Sequence, residues 1–150
     1  MDSIGLFNER NGAFFARAAK AAFRSFARLG PAAALRRIAG AQRMLAFQRK
    51  QAALRAAAAR EGKAVPGILI ASLTRRCNLA CAGCYSNALR SAPSRELPDD
   101  RFVELFAEAV DLGVGTLMLA GGEPLLRRPL LEAAARYKGL AVPVFTNGTL

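Results

Sequence analysis

GILIASL at residues 67–73 and CNLACAGCY at residues 77–85, separated only by Thr74-Arg75-Arg76, set a short apolar run against a cysteine-rich loop. The run is nearly continuous in apolar residues, as in a strand buried on both faces of a parallel sheet. Reading downstream, Ser91 to Asp100 is a loop with two prolines. A helix is predicted from Asp99 to Leu112, with Asp99 or Asp100 as N-cap and Phe102, Leu105, Phe106, Ala109 and Val110 facing inward. GTLMLA, residues 115–120, reads as a second buried strand, followed by the turn Gly121-Gly122-Glu123-Pro124. A helix from about Arg128 to Lys138 comes next. LAVPVF, residues 140–145, reads as a third strand and ends in Thr146-Asn147-Gly148. Strand–helix–strand–helix–strand with long crossovers implies parallel neighbours in an α/β fold. In such sheets the chemistry sits on the loops after the strands' C-terminal ends. The cysteine loop, GGEP and TNG all fall there.

Upstream of the first strand the character changes. Phe15, Ala19, Ala22, Phe26 and Leu29 recur at helical spacing between Ala13 and Leu29, with Arg17, Lys20, Arg24 and Arg28 on another face. Gly30-Pro31 breaks this helix. A second is expected from Ala32 to Arg60, rich in good helix formers, with Gly62 as its C-cap. Residues 1–63 hold 13 Lys/Arg against three acids, whereas residues 64–150 hold nine against eight. The division expected is a basic helical extension over 1–63 and an α/β unit over 64–150. With 53% hydrophobic and 22% charged residues, the chain fits neither a disordered nor a collagen-like class. No run of 18 apolar residues is present, so no transmembrane helix is expected. Asp2 and Glu9 near the start argue against a secretory signal.

Cys77, Cys81 and Cys84 are the chain's three cysteines, and there is no histidine. An odd number cannot close a disulfide framework, and clustering within eight residues suits a metal site in a reducing compartment. Closed structural zinc sites take four ligands, so zinc here needs a carboxylate or a second chain. Three buried thiols without a metal are the other structural alternative. Electron-transfer clusters usually take four cysteines. Three thiolates instead hold three irons of a cubane cluster and leave the fourth open to a small molecule, as catalytic metal sites keep one position free.

CNLACAGCY resembles the CxxxCxxC signature of the radical S-adenosylmethionine (radical SAM) superfamily, and GGEP and TNG stand at the places of its companion motifs. The resemblance runs from about residue 67 to 150. It implies the first half of a partial parallel (β/α) barrel. It also implies a [4Fe–4S] cluster on Cys77, Cys81 and Cys84, with S-adenosylmethionine chelating the open iron. Reductive cleavage to a 5′-deoxyadenosyl radical and hydrogen abstraction from a substrate follow by resemblance, the cofactor supplying the chemistry and the protein its placement. Gly121, Gly122, Glu123 and Pro124 match the stretch that receives the methionine ammonium. Thr146 and Asn147 match a loop lining the cofactor site. Many members carry an aromatic just before the last cysteine. Gly83 stands there in this chain, so Tyr85 either takes the related adenine contact or packs at the barrel mouth. No residue of this chain matches a catalytic side chain of the family.

The family's barrels continue through further strands, so a chain stopping after the third reads as the front part of one. A truncated, non-catalytic iron–sulfur remnant is the alternative. A third reading makes the basic helices a membrane or nucleic-acid binder with a structural cluster. The plainest account of those helices is a solvated basic face. Contact with an anionic membrane surface ranks next, and nucleic acid last, because no named nucleic-acid module is present. The resemblance implies a flavodoxin- or ferredoxin-type reductant, a substrate the residues do not choose, and a cytoplasmic location.

Overall fold

The computed structural model describes residues 30–84 and 95–150. The helix predicted over Ala13–Leu29, Tyr85 and the start of the proline-containing loop lie outside the described residues. The chain forms two compact units, Met1–Ala41 and Gln42–Leu150. Of the first, the described part is Gly30 and the opening turns of α1 (Pro31–Arg60). There the Gly30 carbonyl accepts from the N–H groups of Ala33 and Ala34. Proline at the first helical position has no N–H to leave unpaired.

The second unit begins within α1, and its half of the helix is docked by polar side chains. Gln51 is 1% exposed, and its Nε2 donates to the carbonyls of Val110 at 3.0 Å and Val114 at 3.3 Å. Gln48 donates to Gly115 O at 2.6 Å, and Arg55 to Gly113 O. These three residues recur at helical spacing, and their targets are carbonyls at a helix C-terminus and in the turn after it. The helix closes as expected at Gly62, whose φ is +75°. Lys63 N–H reaches Ala58 O and Gly62 N–H reaches Ala59 O, the paired bonds of a Schellman cap.

The sheet pairs β1 (Ile68–Ser72) with β2 (Thr116–Ala120) in parallel, Ile68 opposite Thr116 and Ser72 opposite Ala120. Between them α2 (Asp99–Leu112) lies on one face. Phe102, Phe106 and Ala109 are buried as predicted, and Leu105 and Val110 pack against the core. Each buried ring contributes about 1.5–3 kcal/mol. The N-cap is Pro98, not Asp99 or Asp100, and no side chain caps the helix. Asp99 is taken by Arg127, and Asp100 bonds the N–H of Arg101. Both acids still sit in the first turn, where the helix dipole favours them.

After β2 the chain makes a 3₁₀ turn (Pro124–Arg127) and then α3 (Arg128–Ala135), which stops short of the predicted Lys138. Leu130 and Ala134 of α3 join Ala71, Leu73, Leu117, Leu119 and Leu140 in the core with the α2 rings.

The third predicted strand is present only as two parallel bridges to β2, Thr116 with Ala141 and Leu119 with Val144. Ala141 donates to Gly115 O, Leu117 to Ala141 O, Leu119 to Pro143 O, and Phe145 to Leu119 O. In that alternation the missing bond is from residue 143 to Leu117 O. Proline has no N–H to give it, and the ladder is interrupted there. On the face away from α2, Ile68 is 55% exposed, Ile70 64% and Phe145 56%. Among the described residues no helix is long and apolar enough to cross a membrane.

Candidate functional site

The loops after β1, after β2 and after the 140–145 segment all leave the same edge of the sheet, as parallel pairing requires. The first contact between them is backbone. Gly122 N–H donates to Thr74 O at 2.7 Å and Glu123 N–H to Arg76 O at 2.8 Å. A Cβ on Gly121 would lie 2.5 Å from Thr74 O, and one on Gly122 2.2 Å from Arg76 O. Gly121 also has φ +137°. The two glycines are therefore required for the GGEP turn to lie against the start of the cysteine loop.

Glu123 then ties that turn to the third loop. Its side chain is 0% exposed, and three donors surround the carboxylate. Leu125 N–H at 2.9 Å and the Thr146 hydroxyl at 2.8 Å reach Oε1, while Asn147 N–H at 2.9 Å reaches Oε2. Burial pushes this carboxyl up, but the bonds from Asn147, Leu125 and Thr146 outweigh it and hold it below its ordinary value. A carboxylate has about four lone-pair directions, and three are filled here. Glu123 also serves as N-cap of the 3₁₀ turn, with Pro124 buried behind it. The Thr146 hydroxyl further accepts from Gly148 N–H at 3.0 Å.

The cysteine loop is held at its root by Thr74, which is buried. Its hydroxyl donates to Glu96 Oε1 at 2.8 Å and accepts from Arg76 N–H at 3.1 Å, while Arg75 N–H also bonds Glu96 at 2.7 Å. Burial raises the Glu96 carboxyl. The bonds from Arg75 and Thr74 and the charges of Arg127 and Arg76 more than reverse that and lower it. Arg127 braces the same corner, donating to the carbonyls of Leu73 at 2.7 Å and Leu97 at 3.0 Å, pairing with Asp99 and stacking 5.0 Å over Phe102. None of Thr74, Glu96 or Arg127 stood out in the sequence, because the bonds that tie them into this corner reach partners 21 to 54 residues away.

None of the three cysteines is in a disulfide; Cys77 and Cys84 are half-buried and Cys81 is exposed. Cys84 N–H turns back to Cys81 O at 3.3 Å. Cys77 Sγ faces two N–H donors, Leu79 N at 3.4 Å and Asn147 Nδ2 at 3.7 Å. Among the described residues no three His, Cys, Asp or Glu side chains converge on the position of a single metal ion. A zinc knot needs such convergence. A cubane cluster does not, because each thiolate binds its own iron. Three cysteines outside any disulfide on one loop, with N–H groups aimed at a sulfur, are a donor set that fits a cluster. Beside them an open cleft of about 520 Å³ is lined by Arg75, Arg76, Cys77, Asn78 and Leu126.

A family model described as the Radical SAM superfamily matches residues 71–150. The chain is 36% identical over 85 residues to the Fe-coproporphyrin III synthase of Methanosarcina barkeri, covering 55% of this chain and 21% of that protein. It is 41% identical over 85 residues to the PqqA peptide cyclase of Rhizobium meliloti, covering 55% and 23%. It is 36% identical over 94 residues to a probable GTP 3′,8-cyclase of Methanothermobacter thermautotrophicus, covering 61% and 30%. The chain thus spans less than a third of the length of these relatives. No solved structure matches it.

Proposed function

The chain belongs to the radical SAM superfamily, whose cofactors are a [4Fe–4S] cluster and S-adenosylmethionine, and we propose that it is the cofactor-holding front part of a radical enzyme. The observation that carries this reading is the tie between the cysteine loop, the GGEP turn and the TNG loop through Glu123 and Asn147. Cys77, Cys81 and Cys84 hold the cluster, each on its own iron. Together the two cofactors supply reductive carbon–sulfur cleavage to a 5′-deoxyadenosyl radical that takes hydrogen from a substrate.

The protein's part is placement. Glu123 has spent three of its acceptor directions on protein donors and is buried, so its role is to fix the loops. Receiving the methionine ammonium then falls to the partly exposed backbone of Gly121 and Gly122. Thr146 and Asn147 complete that wall. The relatives' names point to a porphyrin, a peptide and a nucleotide, so the segment they share with this chain is the cofactor-binding one and the substrate is not carried over. The parallel strands with all three loops on one edge support a partial (β/α) barrel continued by further strands. A flavodoxin- or ferredoxin-type reductant and a cytoplasmic setting complete the proposal, since cysteines kept for a cluster need reducing surroundings.

The test is anaerobic reconstitution of the protein with iron and sulfide, then incubation with S-adenosylmethionine and dithionite. About four irons per chain and release of 5′-deoxyadenosine are expected. A cluster without cleavage, even with any downstream chain supplied, would leave an iron–sulfur remnant, and absence of a cluster would refute the reading altogether.

A further inference from the structure

The side chain of Asn147 is oriented by its neighbours. Its Oδ1 accepts from Thr149 N–H at 3.0 Å and from the Thr149 hydroxyl at 2.7 Å. Its Nδ2 must therefore face the other way, where it donates to Asn78 Oδ1 at 2.9 Å and lies 3.7 Å from Cys77 Sγ. Asn78 closes the ring, because its own Nδ2 donates to Thr149 Oγ1 at 2.7 Å. Turning the Asn147 amide over would set its NH₂ against the Thr149 N–H, so only one assignment satisfies every member. The Asn147 backbone is held as well, by the Glu123 carboxylate at 2.9 Å.

The Cys77 sulfur thus meets one N–H from its own loop and one from a residue 70 positions away. We propose that Asn147 is a positioning residue for the iron–sulfur cluster, its side-chain amide donating to the Cys77 thiolate and making the bound cluster easier to reduce. This rests on the function proposed above. Reduction adds negative charge to the cluster and its sulfurs. An N–H aimed at a ligand sulfur stabilises that more negative form, so losing it makes reduction harder. The ring through Asn78 and Thr149 keeps the donor aimed, where a free asparagine would turn toward water.

The experiment is an EPR-monitored dithionite titration of the anaerobically reconstituted protein, with S-adenosylmethionine left out so that no contact to it affects the result. Asn147→Asp keeps the size and the Oδ1 acceptor but replaces the donor with an oxygen. Its cluster should be at least about tenfold harder to reduce, a shift of about 59 mV for one electron. Asn147→Ala should move the same way by less. Thr149→Val, which removes the hydroxyl's bonds to Asn147 Oδ1 and Asn78 Nδ2 but keeps the backbone N–H on Asn147, should loosen the aim of the amide and move least. A potential unchanged in both Asn147→Ala and Thr149→Val overturns the proposal, and these two decide it if Asn147→Asp fails to hold iron. A wild-type protein that assembles no cluster overturns the functional reading as well, whereas intact clusters of equal potential overturn this inference alone.

Discussion

Replacing Glu123 with glutamine removes one charge and almost no volume, yet it should loosen the whole loop edge. The carboxylate offers both oxygens, one to Leu125 N–H and the Thr146 hydroxyl and the other to Asn147 N–H. A glutamine has a single oxygen. Turned one way, its NH₂ faces the N–H of Asn147; turned the other, it faces that of Leu125. Either way one buried backbone donor loses its acceptor and meets a second donor. Bonds to a charged group are worth about 1.5–3 kcal/mol and an unmet buried donor costs about 1–3, so with partial relaxation the expected loss is about 2–4 kcal/mol. For a chain of this size that is a fall in melting temperature on the order of 5–15 °C. The assay is thermal unfolding of the two proteins at pH 7 and at a series of lower pH values. Because Glu123 is held below its ordinary value of 4.5, its contribution is full above that value and lost as pH falls through the lowered one. The gap between wild type and Glu123→Gln should therefore close below pH 4.5, and the variant should lack that acid-sensitive step. Equal melting at pH 7, or a gap that acid leaves unchanged, would refute the reasoning.

Gly122→Ala should be damaging, since its Cβ would sit 2.2 Å from a backbone oxygen that cannot turn aside. We expect a loss of about 1–3 kcal/mol and a lower iron content after reconstitution. Cys77→Ala, Cys81→Ala and Cys84→Ala should each abolish cluster assembly, read as iron and sulfide per chain, while far-ultraviolet circular dichroism stays unchanged. Arg127→Lys keeps the charge but cannot reach Leu73, Leu97 and Asp99 together. Urea unfolding should show a loss of about 1–2 kcal/mol. Pro143→Ala restores the missing N–H opposite Leu117 O, and hydrogen exchange should reveal a newly protected amide at position 143. Its stability should change by less than about 1 kcal/mol, because the added bond is offset by the freedom returned to the unfolded chain.

The local patterns were legible where one short window contained everything needed. The inward face of α2, Gly62 as the cap of α1, and the order of β1, α2 and β2 follow from spacing and turn chemistry within a few residues of each position. Pro143 shows the limit of side-chain pattern. LAVPVF is apolar enough for a strand, but strand continuity depends on backbone donors, and one is missing. Gln48, Gln51 and Arg55 show another limit. As helix formers they fit a solvated helix, yet they are the side chains that dock it on the turn after α2.

By itself the sequence offered Cys77, Cys81 and Cys84 as candidate ligands and, through their resemblance to a family signature, the class of cofactor, because three cysteines at fixed spacing on a loop after a strand are a local arrangement. It also placed GGEP and TNG at the ends of neighbouring strands. Only the tertiary structure decided what those loops do for one another. Glu123 meets Asn147 24 residues away, and Asn147 meets Cys77 70 residues away. Such pairings come from parallel strands bringing their C-terminal loops to one edge, a distance in space that no window of sequence contains. That packing makes Glu123, read in the sequence only as part of the GGEP stretch, a buried tie between loops, and gives Asn147 a sulfur to face.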